Sequence, residues 1–177
     1  LSSGTITVSV YANLTAGAIG TTQTICYNTS PGTLSNVTSP TGGTGSYTYQ
    51  WQSTTVSGCG SGWANVSGAT ASTYAPGNMT LTTCFRRVVN SGSCGTLNSN
   101  AITVTVNSNL TAGSVGSNQS ICYNTTPGLF TNVSSPTGGT GTYTYLWQSQ
   151  PSCTGAWADI EGASSATYQA PALINTT

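Results

Sequence analysis

The stretch Ser39–Ser53, SPTGGTGSYTYQWQS, decides the fold of this chain, because it recurs almost unchanged at Ser135–Ser149 as SPTGGTGTYTYLWQS. In both copies a glycine-rich turn leads into a segment in which every second residue is aromatic. Alternation with a period of two puts the aromatic residues on one face of a β-strand. We predict that this face packs into a core, and it carries Tyr47, Tyr49, Trp51, Tyr143, Tyr145 and Trp147.

The glycine-rich turn itself invites a comparison with loops that bind phosphate. Such loops require a lysine and a following helix. The turn at Thr41–Gly45 has no lysine and leads into a strand. We therefore predict that the glycines allow a tight turn. The alternative is that some of the tyrosines stack on a glycan from an exposed face.

The repeat extends over most of the chain. The pentapeptide NLTAG occurs at Asn13 and again at Asn109, an offset of 96 residues, and Trp63 matches Trp157 at an offset of 94. The change of offset indicates a shortened surface loop in the second copy. We predict that residues 1–12 are the last strand of a preceding repeat and that residues 13–106 form a complete repeat. Residues 107–177 are then a second repeat that stops before its last two strands.

Period-two alternation of Ile, Val, Thr and Tyr predicts strands throughout. TITVSV at Thr5–Val10 and AITVTV at Ala101–Val106 place Ile and Val on one face. The segment CFRRVV, which begins at Cys84, is another strand, and NSGSCG turns it back as a hairpin. About seven short strands per repeat, with a tryptophan on a central strand, are typical of an immunoglobulin-like sandwich. The predicted fold is all-β, built of tandem immunoglobulin-like β-sandwich repeats.

The charge census restricts the possible functions. The 177 residues contain two Lys or Arg, two Asp or Glu and no His. Nucleic-acid binding needs a field of basic residues, and metal sites need His, thiolates or several carboxylates. General acid–base catalysis needs a titratable group near neutrality. We therefore predict no catalytic residues, no metal, no cofactor and no nucleic-acid partner, so the chain is not expected to be an enzyme.

The four charged residues do not suggest a site of their own. Asp159 and Glu161 are two residues apart, but the first copy has Asn65 where Asp159 stands, so a repeated function cannot depend on this pair. The neighbouring Arg86 and Arg87 should point to opposite sides of their strand. We expect one to lie along the surface and the other to cap carbonyl groups or stack on an aromatic ring.

Six cysteines in a chain rich in Ser, Thr and Asn indicate disulfides and an oxidising compartment. We predict an extracellular, cell-surface location, and no membrane insertion, because no apolar run approaches the roughly 20 residues that span a bilayer. The four cysteines of the first repeat allow three connectivities. In the expected topology Cys59 and Cys84 lie at one end of the sandwich and Cys26 and Cys94 at the other, which favours the pairs Cys26–Cys94 and Cys59–Cys84. Cysteines beyond the chain end would then pair with Cys122 and Cys153.

Two blocks of the repeat resemble a known family. PTGGTGSYTYQWQ and RRVVNSGSCG, together with SNAITVTV, are similar to the tandem immunoglobulin-like repeats of giant Bacteroidota surface proteins. These include the mobile adhesins of gliding flavobacteria, which the type IX secretion system exports. The resemblance covers nearly the whole chain and implies a cell-surface role in adhesion or filament formation. In that family the cysteines of ICYN and SGSCG are commonly present, which also favours Cys26–Cys94.

Three functions follow as hypotheses. The first is a structural and adhesive stalk segment of a long secreted cell-surface protein, with neighbouring repeats and surface polysaccharide as partners and with a role connected to gliding motility. The second is a stretch of an extracellular filament whose units exchange strands, with Thr5–Val10 completing a neighbouring unit. The third is a carbohydrate-binding module that contacts glycans through Tyr27, Trp63 and Tyr74.

Overall fold

The computed structural model describes residues 4–116 and 118–175. The chain divides into two compact units, Leu1–Asn107 (unit 1) and Ser108–Thr177 (unit 2). The regular structure consists of β-strands and three single 3-10 turns. The prediction of an all-β fold is confirmed. In the part of the chain that is described, no helix has the length and apolar character needed to cross a membrane.

The described residues of unit 1 form eight strands in two sheets. The larger sheet has the order β2-β8-β6-β4-β5, with β7 paired to β6, and the smaller one joins β1 to β3. The strands are β1 (Ala18–Ile19), β2 (Gln23–Ile25), β3 (Asn36–Thr38), β4 (Thr48–Thr54), β5 (Ala64–Asn65), β6 (Thr83–Asn90), β7 (Thr96–Asn98) and β8 (Ile102–Val106).

The antiparallel pair of β4 and β6 forms the centre of unit 1. Their register places Trp51 opposite Arg87. Period-two alternation brings Phe85 and Val89 of β6 to the buried face, as the sequence pattern predicts. Trp51 is completely buried, and its indole Nε1 donates to the carbonyl of Ala71 at 3.0 Å. Each buried side chain of this kind contributes about 1.5–3 kcal/mol to folding.

The core of unit 1 lies between the two sheets. It is formed by Ile19, Leu34, Trp51, Ala69, Phe85, Ile102 and Val104. The smaller sheet and the bridge between Leu34 and Tyr74 cover the face that β4, β6 and β8 turn inward. The core therefore draws on residues that are far apart in the chain.

The aromatic residues predicted to be core take different positions. Trp51 alone is in the buried cluster, whereas Tyr47 and Tyr49 are half-buried. The Tyr47 hydroxyl donates to the carbonyl of Gly42 at 2.8 Å, and Tyr143 in unit 2 makes the same bond to Gly138. In unit 2, Tyr145 and Trp147 are also half-buried.

The glycine-rich turn forms a close contact between backbone segments. Gly42 has a φ of 72°, and a Cβ atom built on it would lie 1.9 Å from the carbonyl oxygen of Asn13. Gly138 repeats this approach to Asn109 in unit 2, at 2.0 Å. A side chain at either glycine would collide with the backbone of the segment that enters the unit. The repeated stretch is thus explained by packing, and the predicted tight turn is one part of that explanation.

The hairpin predicted at NSGSCG is present, but its returning strand is interrupted. A 3-10 turn at Gly92–Cys94 leads into β7, and β8 begins only at Ile102. At the interruption, Ser99 bonds to both the N–H and the C=O of Arg87. The side chain of Asn100 bonds to the backbone N–H and C=O of Ile19, at 2.8 and 3.2 Å, and so links the two sheets.

The strand predicted at Thr5–Val10 does not form in this structure. Residues 4–10 have no regular secondary structure, and Ile6, Val8 and Val10 are exposed. The matching segment Ala101–Val106 already occupies the place between β2 and β6 in unit 1. The place in that sheet that the Thr5–Val10 pattern would fill is therefore taken by β8. Residues 1–3 of the predicted segment 1–12 lie outside the described residues.

Unit 2 repeats part of this plan. Its strands are β9 (Ser114–Val115), β10 (Asn132–Ser134), β11 (Gln148–Ser149) and β12 (Ala158–Asp159). Trp147 packs against Phe130 and Tyr168, with ring centroids 6.1 and 5.6 Å apart. Across residues 118–175, no strand takes the places that β6 and β8 fill in unit 1. This leaves β11 much shorter than β4. Residues 176–177 of the predicted second repeat lie outside the described residues.

Candidate functional site

The described residues offer little chemistry for a reaction. None of them form a group of three or more His, Cys, Asp or Glu side chains that could hold a metal ion. Asp159 accepts a hydrogen bond from Gln148 Nε2 at 2.8 Å, as Asn65 does from Gln52 in unit 1 at 2.9 Å. The carboxylate therefore takes the position of an amide in a structural contact between two strands.

A shallow groove lies on unit 2. It has a volume of about 310 Å³ and is lined mainly by Val115, Leu146, Trp147 and Trp157. Leu146 and Trp157 are exposed, at 58% and 63%. The groove carries no charged side chain, so it has apolar contacts to offer and no group for acid–base work.

A disulfide joins Cys59 to Cys84 in unit 1, and this confirms the predicted pair. It joins the 3-10 turn Ser57–Cys59, which follows β4, to the first residues of β6, with the two Cα atoms 5.8 Å apart. Cys84 is buried and paired opposite Thr54 in the sheet. On the chain-entropy account, closing a loop of this length stabilises the folded state by about 3.5 kcal/mol.

The predicted Cys26–Cys94 bond is absent, because both cysteines are free thiols. Cys26 follows the last residue of β2, at the end where β6 begins. Cys94 follows the last residue of β6, a strand of eight residues. The two thiols are therefore separated by about the length of β6, roughly 23 Å, whereas a disulfide requires Cα atoms within about 7 Å. Sequence reasoning placed Cys26 at the wrong end of unit 1.

Cys122 and Cys153 are likewise free and exposed in unit 2. Cys153 has a positive φ of 53°, close to the 57° of its counterpart Cys59. The backbone turn that carries Cys59 into its disulfide is thus also present in unit 2. The prediction that partners for these two cysteines lie beyond the chain end stays a prediction.

Arg87 is the most unusual side chain in the core. Its guanidinium is fully buried and lies 4.6 Å above the ring of Tyr49. Nη1 donates to Asn36 Oδ1 and, at 2.6 Å, to the carbonyl of Ser72, while Nε has no partner. Removal from water lowers the pKa of Arg87, and the adjacent Tyr49 hydroxyl acts in the opposite direction. Arginine nevertheless stays charged at any pH at which proteins fold.

Arg86 lies on the other side of the same strand. Its Nε donates to Gln52 Oε1 at 2.8 Å, and its guanidinium covers the ring of Trp63 at 4.4 Å. The two arginines thus face opposite sides of β6, as the period-two pattern predicts. Alternation could show that one of them points inward, but it could not show that Arg87 would be completely buried without a carboxylate partner.

The three residues considered for glycan contact occupy different environments. Tyr27 is 42% exposed. Trp63 is half-buried under Arg86, and Tyr74 packs between Trp51 and Phe85, with both ring-centroid distances 5.8 Å. A ring enclosed in this way cannot stack on a sugar, so the structure does not gather these residues into one binding surface.

The chain enters and leaves unit 1 at different ends. Ala12 and Asn13 lie against Gly42 and Gly43, at the end of the unit where β6 finishes. Asn107 lies at the opposite end, where its N–H donates to the carbonyl of Ile25 at 2.9 Å. The chain therefore enters unit 1 at one end, here called the proximal end, and leaves at the other, the distal end.

A comparison with family models gives one family. The model described as a domain of unknown function, DUF8696, matches residues 15–108 and again residues 111–177. The chain belongs to the DUF8696 family. The first DUF8696 match ends within one residue of the end of unit 1. Comparisons with curated proteins and with solved structures give no match.

Proposed function

We propose that this chain is a structural and adhesive repeat segment of a long secreted cell-surface protein. The observation that carries the proposal is the Cys59–Cys84 disulfide, which braces a repeated β-unit that has almost no ionic groups. Disulfides of this kind persist in oxidising, extracellular compartments. The sequence resemblance to repeats of Bacteroidota gliding adhesins supports the same function, including export by type IX secretion.

The way the units are stabilised suits a stalk outside the cell. Salt screens interactions between charges, and this chain has only two basic and two acidic residues to be screened. The core of unit 1 is held by apolar packing, strand pairing and one disulfide. Such a unit should keep its shape in media of very different salt content.

The surface suits adhesion to a hydroxyl-rich layer. Most exposed positions carry Ser, Thr, Asn or Gly, with scattered apolar residues such as Val37 and Leu81. Side chains with hydroxyl and amide groups can both donate and accept hydrogen bonds. We infer that the partners are neighbouring repeats of the same polypeptide and a surface polysaccharide, contacted through many weak bonds and without a single pocket.

The test is localisation combined with attachment. Antibodies raised against residues 13–106 should label intact, unpermeabilised cells of the producing organism, and protease added outside should remove the label. Cells from which the coding segment is deleted should attach less to polysaccharide-coated glass. Label confined to permeabilised cells would refute the location, and unchanged attachment would refute the adhesive role.

A second candidate, strand exchange between copies in a filament, is favoured by one observation. Ile6, Val8 and Val10 are 89%, 82% and 92% exposed, although the same pattern in β8 is mostly shielded within the sheet. An exposed segment with a strand pattern can add to a free edge of the sheet of another copy. Light scattering should then show oligomers that grow with concentration and are lost when all three residues are changed to Thr. A monomer at every concentration would exclude this function.

A further inference from the structure

We propose that the parallel pair of β2 and β8 is a mechanical clamp that makes unit 1 resist tension along the polypeptide. The proposal rests on the proposed stalk function for its biological meaning, but it concerns a physical property of the unit itself. Three parallel residue pairs join the strands, Gln23 with Val104, Thr24 with Thr105 and Ile25 with Val106.

The direction of the two strands determines how tension acts on them. Force applied at the proximal end pulls on the first residue of β2. Force applied at the distal end pulls in the opposite direction on the last residue of β8. Because the strands are parallel, these forces slide one past the other, along the strand axis. Hydrogen bonds between strands lie across that axis, so all of them are stretched at once. Strands pulled apart from one end would instead lose their bonds one by one.

Side-chain contacts hold both strands of the clamp in place. The Gln23 side chain accepts from the N–H of Gly32 at 2.7 Å and donates to its carbonyl at 3.2 Å. The bond from Asn107 to Ile25 extends the pairing beyond the last residue of β8. Val104 is fully buried, so sliding of β8 would also expose core surface. Unit 2 repeats the first contact between Gln119 and Gly128.

The smaller sheet protects the clamp from peeling at the proximal end. Before force reaches β2 it must break the pairing of β1 with β3 and the two bonds between Ile19 and Asn100. It must also break the backbone bonds that join Ala12 to Gly43, Thr15 to Thr41 and Gly20 to Ser35. The regular pairing of β1 with β3 covers two residue pairs, against three between β2 and β8. We therefore place the main barrier at β2 and β8 and a smaller, earlier one at β1.

The disulfide allows the unfolding of unit 1 to be distinguished from that of unit 2 in a force experiment. The loop between Cys59 and Cys84 is covalently closed, so force cannot extend it while the bond is intact. The sequence separation of 25 residues, at 3.3–3.6 Å each, corresponds to about 80–90 Å of chain. Reduction should lengthen the extension released by unit 1 by about 80 Å. In unit 2 both cysteines are free, so its release should not change.

The experiment is single-molecule force spectroscopy on the full chain, held at both ends and pulled at constant force with and without reductant. The variant Gln23→Ala removes the contact of β2 with Gly32. The matched control Gln52→Ala also removes two side-chain bonds, those to Asn65 and Arg86, but outside the clamp. We expect unit 1, identified by its response to reductant, to unfold about five-fold faster in Gln23→Ala and at nearly the wild-type rate in Gln52→Ala.

A stronger variant tests the backbone directly. Thr105→Pro lies at the centre of the pair and takes a donor from β8. It should increase the unfolding rate under force more than Gln23→Ala does, and circular dichroism will show whether it still folds. The proposal is overturned if Gln23→Ala and Gln52→Ala unfold at equal rates under force. Such a result would leave the surface location and the adhesion test unaffected.

Discussion

Reduction of the Cys59–Cys84 bond should destabilise unit 1 by a predictable amount. The bond spans 25 residues, and the loop-closure entropy it removes from the unfolded chain corresponds to about 3.5 kcal/mol. That is a large part of the roughly 5–15 kcal/mol by which a domain is usually stable. For a unit of this size the melting temperature should fall by about 15–25 °C.

Urea titration followed by tryptophan fluorescence measures this change, because Trp51 is buried in unit 1. The double variant Cys59→Ala/Cys84→Ala should match the reduced protein and should not respond to reductant. Cys122 and Cys153 of unit 2 are free, so reductant should not change the unfolding midpoint of unit 2. If the midpoint of unit 1 does not move on reduction, the disulfide contributes nothing measurable and the entropic reasoning fails for this protein.

Three further predictions use matched pairs or simple conditions. Arg87→Lys should lower the free energy of unfolding by about 2–4 kcal/mol, because the buried acceptors lose a planar donor. Arg86→Lys should lower it by less than about 1 kcal/mol. Calorimetry measures both changes, and equal losses would contradict the structural role assigned to Arg87. Gly42→Ala should cost about 2–5 kcal/mol from both strain and collision, against about 1–2 kcal/mol for Gly45→Ala, which has positive φ but open space around it. Raising the NaCl concentration should leave the urea midpoint of unit 1 nearly unchanged, once the general effect of salt on apolar burial is subtracted. A large fall of the midpoint would show that ionic interactions stabilise the unit.

Local pattern was sufficient for much of the fold. Period-two alternation identified β4, β6 and β8, and it placed Trp51 inside and the two arginines on opposite faces. The predicted Cys59–Cys84 pair is present because both residues flank strands that are neighbours in the sheet. The expectation from composition that the chain has no metal site and no acid–base catalysis stays a prediction.

Other predictions failed where they depended on which strands meet. Cys26 was placed at the wrong end because β2 runs parallel to β8, and the direction of a three-residue strand is not visible in its alternation. Thr5–Val10 has the pattern of β8 yet forms no strand here, because β8 itself takes the place between β2 and β6 and alternation does not show which of two similar segments will pair. Tyr74 was considered a possible glycan contact, but the bridge to Leu34 holds its half-buried ring against the core.

The sequence by itself determined that this is a repeated all-β chain almost without charge, since alternation, self-similarity and residue counts are local or additive properties. Only the tertiary structure decided that Cys26 and Cys94 lie far apart, that Arg87 is completely buried, and that β2 and β8 lie parallel between the two ends of unit 1. These features depend on contacts between distant segments: β2 and β8 are some 80 residues apart, as Gln23 and Val104 show, and Arg87 bonds to Asn36 across 51 residues. Such contacts are selected by the packing of the whole unit, and no single segment contains the information that specifies them.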